Sequence, residues 1–203
     1  MPEFNPIFRS AIAMPDQPGE PGLGSEPKPS LSDLTGIQVT LIQGGASASL
    51  KNQFGQIPVK PGELVRAGEV LLACLTPKEF YLFAKTPGVD LPTASALDEQ
   101  FAQANIFAHA TDLTHGTATL RLIGPDAPEL LSKICGLDFH DRVFPTMRVA
   151  QTSAAKIKTL IARCDDGPLP VYFLHVSRPF GQYFWDIVWD AGQEFGIVPG
   201  LAA

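Results

Sequence analysis

The chain has 203 residues, of which 45% are hydrophobic and 18% are charged, and its formal net charge at pH 7 is −6. This balance supports a hydrophobic core and excludes a wholly disordered chain. The acidic charge and the lack of any lysine and arginine cluster in the sequence argue against a general nucleic-acid binder and against a protein attracted to anionic lipids.

The N-terminal stretch, residues 1–35, is predicted to be a disordered tail rich in proline and glycine. Seven of the 19 prolines lie within the first 32 residues. Proline fixes φ and lacks the N–H group that helices and sheets require. Ordered structure is expected to begin near Ile37, and we predict one domain over residues 36–198, with two halves at 36–105 and 106–198.

The first half is predicted to contain three strands and one helix. The strands are short apolar runs bounded by glycine, proline or turn residues, and they cover residues 37–42, 70–75 and 80–84. The helix covers residues 93–105, because Leu97, Phe101 and Ala104 recur at i, i+4 and i+7 and so share one face.

The second half is predicted to contain four strands and two helices. Residues 117–123 alternate between apolar and polar side chains, as in a half-buried strand, and the other strands cover residues 147–152, 155–164 and 171–177. One helix begins at Asp126, which forms a capping box with Glu129, and ends at Gly136 in a left-handed conformation. The other helix covers residues 180–195.

The order of these elements indicates the fold class. Strands and helices do not alternate regularly along the chain, as they do in a doubly wound parallel sheet. The sequence therefore predicts an α+β fold with mixed or antiparallel sheets and about three helices.

Residues that could carry chemistry are few. The three cysteines, Cys74, Cys135 and Cys164, are far apart and form no CxxC pair, so we expect reduced thiols rather than a disulfide or a zinc site. His175 lies in a predicted strand, where a packed or hydrogen-bonded histidine is favoured over a ligand. No apolar run reaches the ~20 residues of a membrane helix and no secretory signal is evident, which predicts a cytoplasmic protein.

Two short segments that contain aspartate are candidate sites. Asp112 and His115 leave an acid–base pair open, although a turn in which Asp112 and Thr114 bond to nearby backbone is favoured. Asp165 and Asp166 precede Gly-Pro in a turn, where neighbouring carboxylates usually point apart into water. We therefore assign no catalytic, cofactor-binding or metal-binding residue.

The last predicted helix carries more apolar surface than one packed face requires. Its core stripe consists of Phe180, Phe184, Ile187, Val188, Ala191 and Phe195. The two tryptophans lie ~100° further round the helix. Trp and Tyr are frequent in protein interfaces, which predicts that this helix binds a partner, unless another part of the chain covers the tryptophans. The predicted interface residues are Arg178, Phe180, Tyr183, Trp185 and Trp189.

Several segments together resemble a known family. Residues 111–115, Thr-Asp-Leu-Thr-His, and residues 120–127, Leu-Arg-Leu-Ile-Gly-Pro-Asp-Ala, resemble the Asp-Leu-Ser-His…Gly-Pro-Asp-Ala signature of the glycine-cleavage T-protein superfamily. Later segments, at residues 131–138, 144–145, 151–152 and 178–191, look like the gamma subunit of heterotetrameric sarcosine oxidase. Residues 75–82 are similar to that family's Leu-Gly-Pro-Asp-Glu-Trp-Leu-Leu stretch.

This resemblance covers roughly residues 37–196 and implies a T-protein-like, folate-binding-like fold. It also implies a non-catalytic structural subunit that docks on the large folate-binding subunit of an oxidase that demethylates sarcosine. In that family FAD, FMN, NAD and tetrahydrofolate belong to the larger subunits, so those subunits are the expected partners and no cofactor is expected on this chain.

The sequence also departs from these families. Pro179 stands where the gamma subunits usually have serine, and Lys78 stands where they usually have aspartate. The Asn-Glu-x-Gly-Gly segment that contacts folate in catalytic T-proteins is absent after Thr152, so no folate residue is assigned. Two other hypotheses stay open: a stand-alone T-protein-like folate-binding protein or one-carbon transferase, and a scaffold for another partner.

Overall fold

The computed structural model describes residues 10, 12 and 27–200, so most of the predicted tail lies outside the described residues. The strands are β1 (Ser30–Asp33), β2 (Val39–Gly44), β3 (Leu64–Ala67), β4 (Val70–Thr76), β5 (Glu79–Ala84), β6 (Ala108–Asp112), β7 (Thr117–Ile123), β8 (Arg148–Ala154), β9 (Ile157–Arg163), β10 (Val171–Ser177) and β11 (Val198–Pro199). The helices are α1 (Ser47–Phe54), α2 (Ala94–Gln103), α3 (Ala127–Ile134) and α4 (Gly181–Gly192).

These strands form two sheets. The six-stranded sheet has the order β11-β1-β7-β10-β9-β8, and the five-stranded sheet has the order β3-β4-β5-β2-β6. Neighbouring strands are antiparallel except for β1 and β11, which run parallel. The predicted α+β class with mixed or antiparallel sheets is confirmed, although the described residues contain four α-helices where about three were predicted.

Two hydrophobic clusters hold these layers together. The first lies between the sheets and includes Phe83 of β5 and Phe173 of β10, whose ring centroids are 5.8 Å apart. The second covers the opposite face of the six-stranded sheet, where Leu120 and Leu174 pack with residues of α3 and α4. Both faces of the six-stranded sheet are therefore buried, which explains why its strands read as long apolar runs.

The start of the ordered chain differs from the prediction. Residues Ser30–Asp33 were placed in the tail, but they form β1, which pairs with β7, and Leu31 is fully buried. Gly124 permits this approach, because its φ is 143° and a Cβ there would lie 2.6 Å from Cα of Pro29. The predicted boundary at residue 35 was therefore wrong, because the local sequence pattern does not show that β1 pairs with β7, a strand far away in the sequence.

The predicted division at residue 105 also differs from the sheets. Strand β6 belongs to the predicted second half but pairs with β2 of the first half, from Thr40 and Asp112 to Gly44 and Ala108. Strands β2 to β6 therefore form the five-stranded sheet, and all strands after β6 belong to the six-stranded sheet. The extent of the domain over residues 36–198 stays a prediction.

Helix α3 was predicted correctly, but its ends were not. Asp126 makes no capping hydrogen bond through its side chain, and its backbone has φ −87° and ψ 4° instead of the extended conformation of an N-cap. At the other end Cys135 is extended and forms an isolated bridge with Ala154. The helix therefore ends because the chain joins the edge of the sheet, not through a left-handed Gly136.

Candidate functional site

The surface predicted to bind a partner lies where β10 leads into α4. Residues Arg178–Phe180 form one turn of 3₁₀ helix, and Gly181–Gly192 continues as α4. Phe184, Val188 and Ala191 recur at i, i+4 and i+7 and are buried against α3 and the six-stranded sheet. This packing fixes which sides of α4 face solvent.

The two tryptophans do not form an exposed flank. Trp185 is only 2% exposed and belongs to the buried cluster that α4 shares with α3. Trp189 is partly buried, and its ring stacks on that of Trp185 with centroids 6.1 Å apart and an interplanar angle of 8°. The placement of Trp185 on an accessible docking face was therefore wrong, since its ring is buried within this cluster.

The exposed aromatic side chains of this segment are Phe180, which is 50% exposed, and Tyr183, which is 48% exposed. Phe180 was predicted to lie in the core stripe, but the 3₁₀ turn places it before α4 and outside the packed face. The backbone N–H of Arg178 donates to the carbonyl of Gly116 at 2.9 Å, which anchors this turn to the residue just before β7. The side chain of Arg178 is half-buried.

An apolar groove lies beside these two aromatic rings. Phe180 and Tyr183 form one wall, and Ala155, Lys156 and Ile157 of the β8–β9 hairpin form the other, around a volume of about 350 Å³. The hairpin turns through Ala155 and Lys156, whose φ angles are 49° and 64°. Two consecutive positive φ angles are typical of a tight type I′ turn, which holds this wall at a fixed position.

His175 was predicted to be packed or hydrogen-bonded, and the structure agrees. Its Nδ1 lies 3.0 Å from Oγ1 of Thr119 on the neighbouring strand β7, and its ring meets Phe83 edge-on at 4.6 Å. Burial lowers the pKa of His175 to about 3, because the charged imidazolium would lose its hydration. The imidazole is therefore neutral near pH 7.

Asp112 and Asp165, the acidic residues of the two candidate segments, make different contacts. The carboxylate of Asp112 accepts a hydrogen bond from the backbone N–H of Thr114 at 2.8 Å, and Oγ1 of Thr114 accepts one from Val39 at 3.1 Å. The first contact forms the predicted turn, and the second joins that turn to β2. Asp165, which was expected to point into water, instead accepts hydrogen bonds from Nε and Nη2 of Arg163 at 2.9 and 3.0 Å.

Arg163 was not identified from the sequence. Its side chain is 5% exposed and its Nη1 also donates to Asp141 at 2.7 Å and to the carbonyl of Phe144 at 2.8 Å. Burial opposes the charged form, but the hydrogen bonds to Asp165 and Asp141 outweigh it and raise the pKa of Arg163. This arginine ties the loop after α3 to β9, so its role is structural.

The remaining site classes gain no support from the described residues. All three cysteines are free and buried. Within residues 10, 12 and 27–200, no group of three or more His, Cys, Asp or Glu side chains could hold a metal ion. Likewise, no helix in the described part of the chain is long and apolar enough to cross a membrane.

Comparison with known proteins identifies the family. The model of the GCVT N-terminal domain matches residues 51–203, which is most of the chain. The chain belongs to the GCVT N-terminal domain family. This confirms the T-protein-like resemblance and agrees with the two-sheet fold.

Individual relatives refine this placement. The chain is 32% identical over 136 residues to sarcosine oxidase subunit gamma from an Arthrobacter species; the match covers 65% of this chain and only 64% of the relative. Among solved structures, it is similar to a chain of heterotetrameric sarcosine oxidase from Corynebacterium sp. U-96, solved in complex with pyrrole 2-carboxylate. That match has a TM-score of 0.70 and 24% identity, and covers 88% of this chain and 90% of that one.

A second solved structure shows the same fold. The glycine cleavage system aminomethyltransferase T from Bartonella henselae matches with a TM-score of 0.62 and 15% identity, over 88% of this chain and 50% of that one. At these identities the two structural matches establish the fold rather than the activity.

Proposed function

We propose that this chain is a non-catalytic subunit of a cytoplasmic hetero-oligomeric oxidase of the sarcosine oxidase type. The observation that carries the proposal is the similarity to sarcosine oxidase subunit gamma, at 32% identity. The fold shared with a chain of the heterotetrameric enzyme supports it. The partners are the larger oxidase subunits, and sarcosine demethylation takes place on them.

The groove beside α4 supplies a surface suited to such a partner. Phe180 lies at the end of the 3₁₀ turn and Tyr183 lies in the first turn of α4, and both rings are half-exposed. Aromatic rings often carry most of the binding free energy of an interface. The opposite wall is the rigid hairpin turn at Ala155 and Lys156. A partner side chain can therefore enter without reorganising the fold, which keeps the entropic cost of association low.

The cofactors of the proposed complex belong to the partners. We place FAD, FMN, NAD and tetrahydrofolate in the larger subunits, as the family resemblance implies. The pocket between the two sheets has a volume of about 160 Å³. Pockets for drug-sized ligands usually exceed ~300 Å³, so this pocket is too small for tetrahydrofolate, whereas the concavity lined by Gln38, Thr86 and Asp112 has a volume of about 420 Å³, and titration with tetrahydrofolate decides that case.

Truncating both exposed aromatic rings tests the docking surface. The double variant F180A/Y183A, co-expressed with the larger oxidase subunits of the same organism, is expected to bind them about 100-fold more weakly, since two interface anchors are lost. The affinity is measured by surface plasmon resonance on the purified components. Thermal unfolding of the variant alone should stay close to that of the parent, because both rings are half-exposed.

Phe107 offers a matched control. It is 99% exposed and precedes β6, in the other sheet, so F107A removes an exposed aromatic ring away from the groove. F107A should bind the larger subunits as tightly as the parent. If F107A weakened binding to the larger subunits as much as F180A/Y183A does, or if F180A/Y183A did not weaken it, the interface would lie outside the groove.

Binding measurements on the parent chain separate the alternative functions. Failure of the parent chain to bind any flavin-containing subunit would remove the subunit proposal. Heat released on titration of the isolated chain with tetrahydrofolate would instead support a stand-alone folate-binding protein. Stable association with a different protein, and no association with the oxidase subunits, would support the scaffold.

A further inference from the structure

A second concave site lies between the two sheets, away from the α4 groove. It opens where β7 begins beside the end of β10, with Thr117 paired to Ser177. Gln151 of β8 and Lys158 of β9 continue the wall formed by the six-stranded sheet, and Tyr81 of β5 closes the pocket from the other sheet. Its volume of about 160 Å³ is close to that of a cavity that accepts benzene, about 150 Å³.

His175, which lines this pocket, carries a buried polar atom that has no partner in the described part of the chain. His175 lines the pocket and is 4% exposed. Its Nδ1 edge is engaged by Thr119, which does not line the pocket, while its Nε2 has no hydrogen-bond partner in the described part of the chain. Buried polar atoms are rarely left unpaired, so a ligand or ordered water is expected opposite Nε2.

The outer rim is polar and positive. Lys158, Gln151 and Ser177 are exposed at the mouth. Among the ten described residues that line the pocket, Lys158 carries the one formal charge near neutral pH. Its flexible four-carbon stem allows the ammonium group to meet an anion at the mouth. Leu113, Leu160 and Val176 supply apolar surface between the rim and His175.

We propose that this pocket binds a small carboxylate that carries a second hydrogen-bond acceptor. The carboxylate pairs with Lys158 at the mouth, the short apolar middle lies against the leucines, and the second acceptor receives a hydrogen bond from Nε2–H of His175. This arrangement requires the tautomer in which the Thr119 hydroxyl donates to Nδ1 and the imidazole proton resides on Nε2.

The proposal can be tested with 4-hydroxybutyrate on the purified full-length chain. Long-range ¹H–¹⁵N NMR reports the tautomer of His175, and addition of 4-hydroxybutyrate is expected to shift its Nε2 resonance in a saturable manner. Two analogues probe the two contacts: 4-hydroxybutyramide lacks the charge and butyrate lacks the second acceptor. Each should bind about 10-fold more weakly than 4-hydroxybutyrate.

A pair of lysine variants locates the charge contact. K158M keeps the length of the side chain and is expected to weaken 4-hydroxybutyrate binding about 10-fold. Lys51 lies in α1 and lines neither this pocket nor the α4 groove, so K51M should leave the affinity unchanged. The absence of a saturable His175 shift, equal binding of the uncharged analogue, or equal weakening by both variants would overturn the proposal.

Discussion

Replacement of Trp185 by alanine is expected to lower the free energy of unfolding by about 3–5 kcal/mol, in the range of other buried aromatic truncations. The ring is 2% exposed and stacks on Trp189, within the cluster that joins α3 and α4 to the sheet. Its removal leaves a cavity that this well-packed layer can close only in part. Urea unfolding followed by circular dichroism measures the change.

Tyr183 provides the matched control on the same helix. It is 48% exposed, so Y183A is expected to change the free energy of unfolding by no more than about 0.5 kcal/mol. A W185A variant that unfolds at the same urea concentration as the parent, yet no longer binds the oxidase subunits, would contradict the burial argument. It would restore Trp185 as a docking residue.

The opposite fates of Trp185 and Tyr183 show what the sequence could not reveal. Helical periodicity places both side chains outside the stripe of Phe184 and Val188, and on that basis both were predicted to face a partner. Which flank is covered depends on how α4 packs in the folded chain, and α3, which packs against α4, lies about fifty residues earlier in the sequence. A pattern local to one helix contains no information about that neighbour.

Elements with a strong local signal were predicted well. Strands β7 and β10 have the predicted bounds, because long alternating or apolar runs end at turn residues. Strand β1 was missed because Ser30–Asp33 is short, follows several prolines and is held by pairing to β7, about ninety residues later. Helix α1 was missed because its sequence, Ser-Ala-Ser-Leu-Lys-Asn-Gln-Phe, carries little apolar periodicity, with Leu50 as its one large buried side chain.

The candidate sites likewise divide into residues that the local sequence indicates and residues that only the fold brings together. Phe180 and Tyr183 could be chosen from the sequence because aromatic residues are frequent in interfaces. The pocket between the sheets could not, because Tyr81, Lys158 and His175 come from three strands whose pairing and packing bring them together. In the sequence His175 resembles an ordinary strand residue, and only the structure shows that its Nε2 has no partner among the described residues.

Acidification should destabilise the protein through His175. The pKa of this histidine is lowered from 6.5 to about 3 by burial, so the unfolded chain binds a proton that the folded chain does not over this interval. Stability from this group is therefore fully present above pH 6.5 and is lost as the pH falls toward 3. The free energy of unfolding should fall by about 1.4 kcal/mol per pH unit within that window, from this residue alone.

The contribution of His175 can be separated from that of the carboxylates by comparison with H175N. The asparagine amide can still bond to Thr119 but does not bind a proton in this pH range, so the variant should lose about 1.4 kcal/mol per pH unit less than the parent between pH 6 and pH 4. Urea unfolding at each pH gives both slopes, and any uniform loss of stability from the substitution cancels in the comparison.

An independent readout comes from the imidazole itself. The other ionisable side chains that line the same pocket are Tyr81, whose pKa is raised by burial and by Glu79, and Lys158. Tyr81 is expected to stay protonated between pH 8 and pH 4, because its pKa is raised further above that range, so it leaves the environment of His175 constant. The ring protons of His175 should show no titration over that range, because burial disfavours the charged imidazolium. A midpoint near pH 6.5 would mean that the ring is hydrated, and the slopes of the parent and H175N would then coincide.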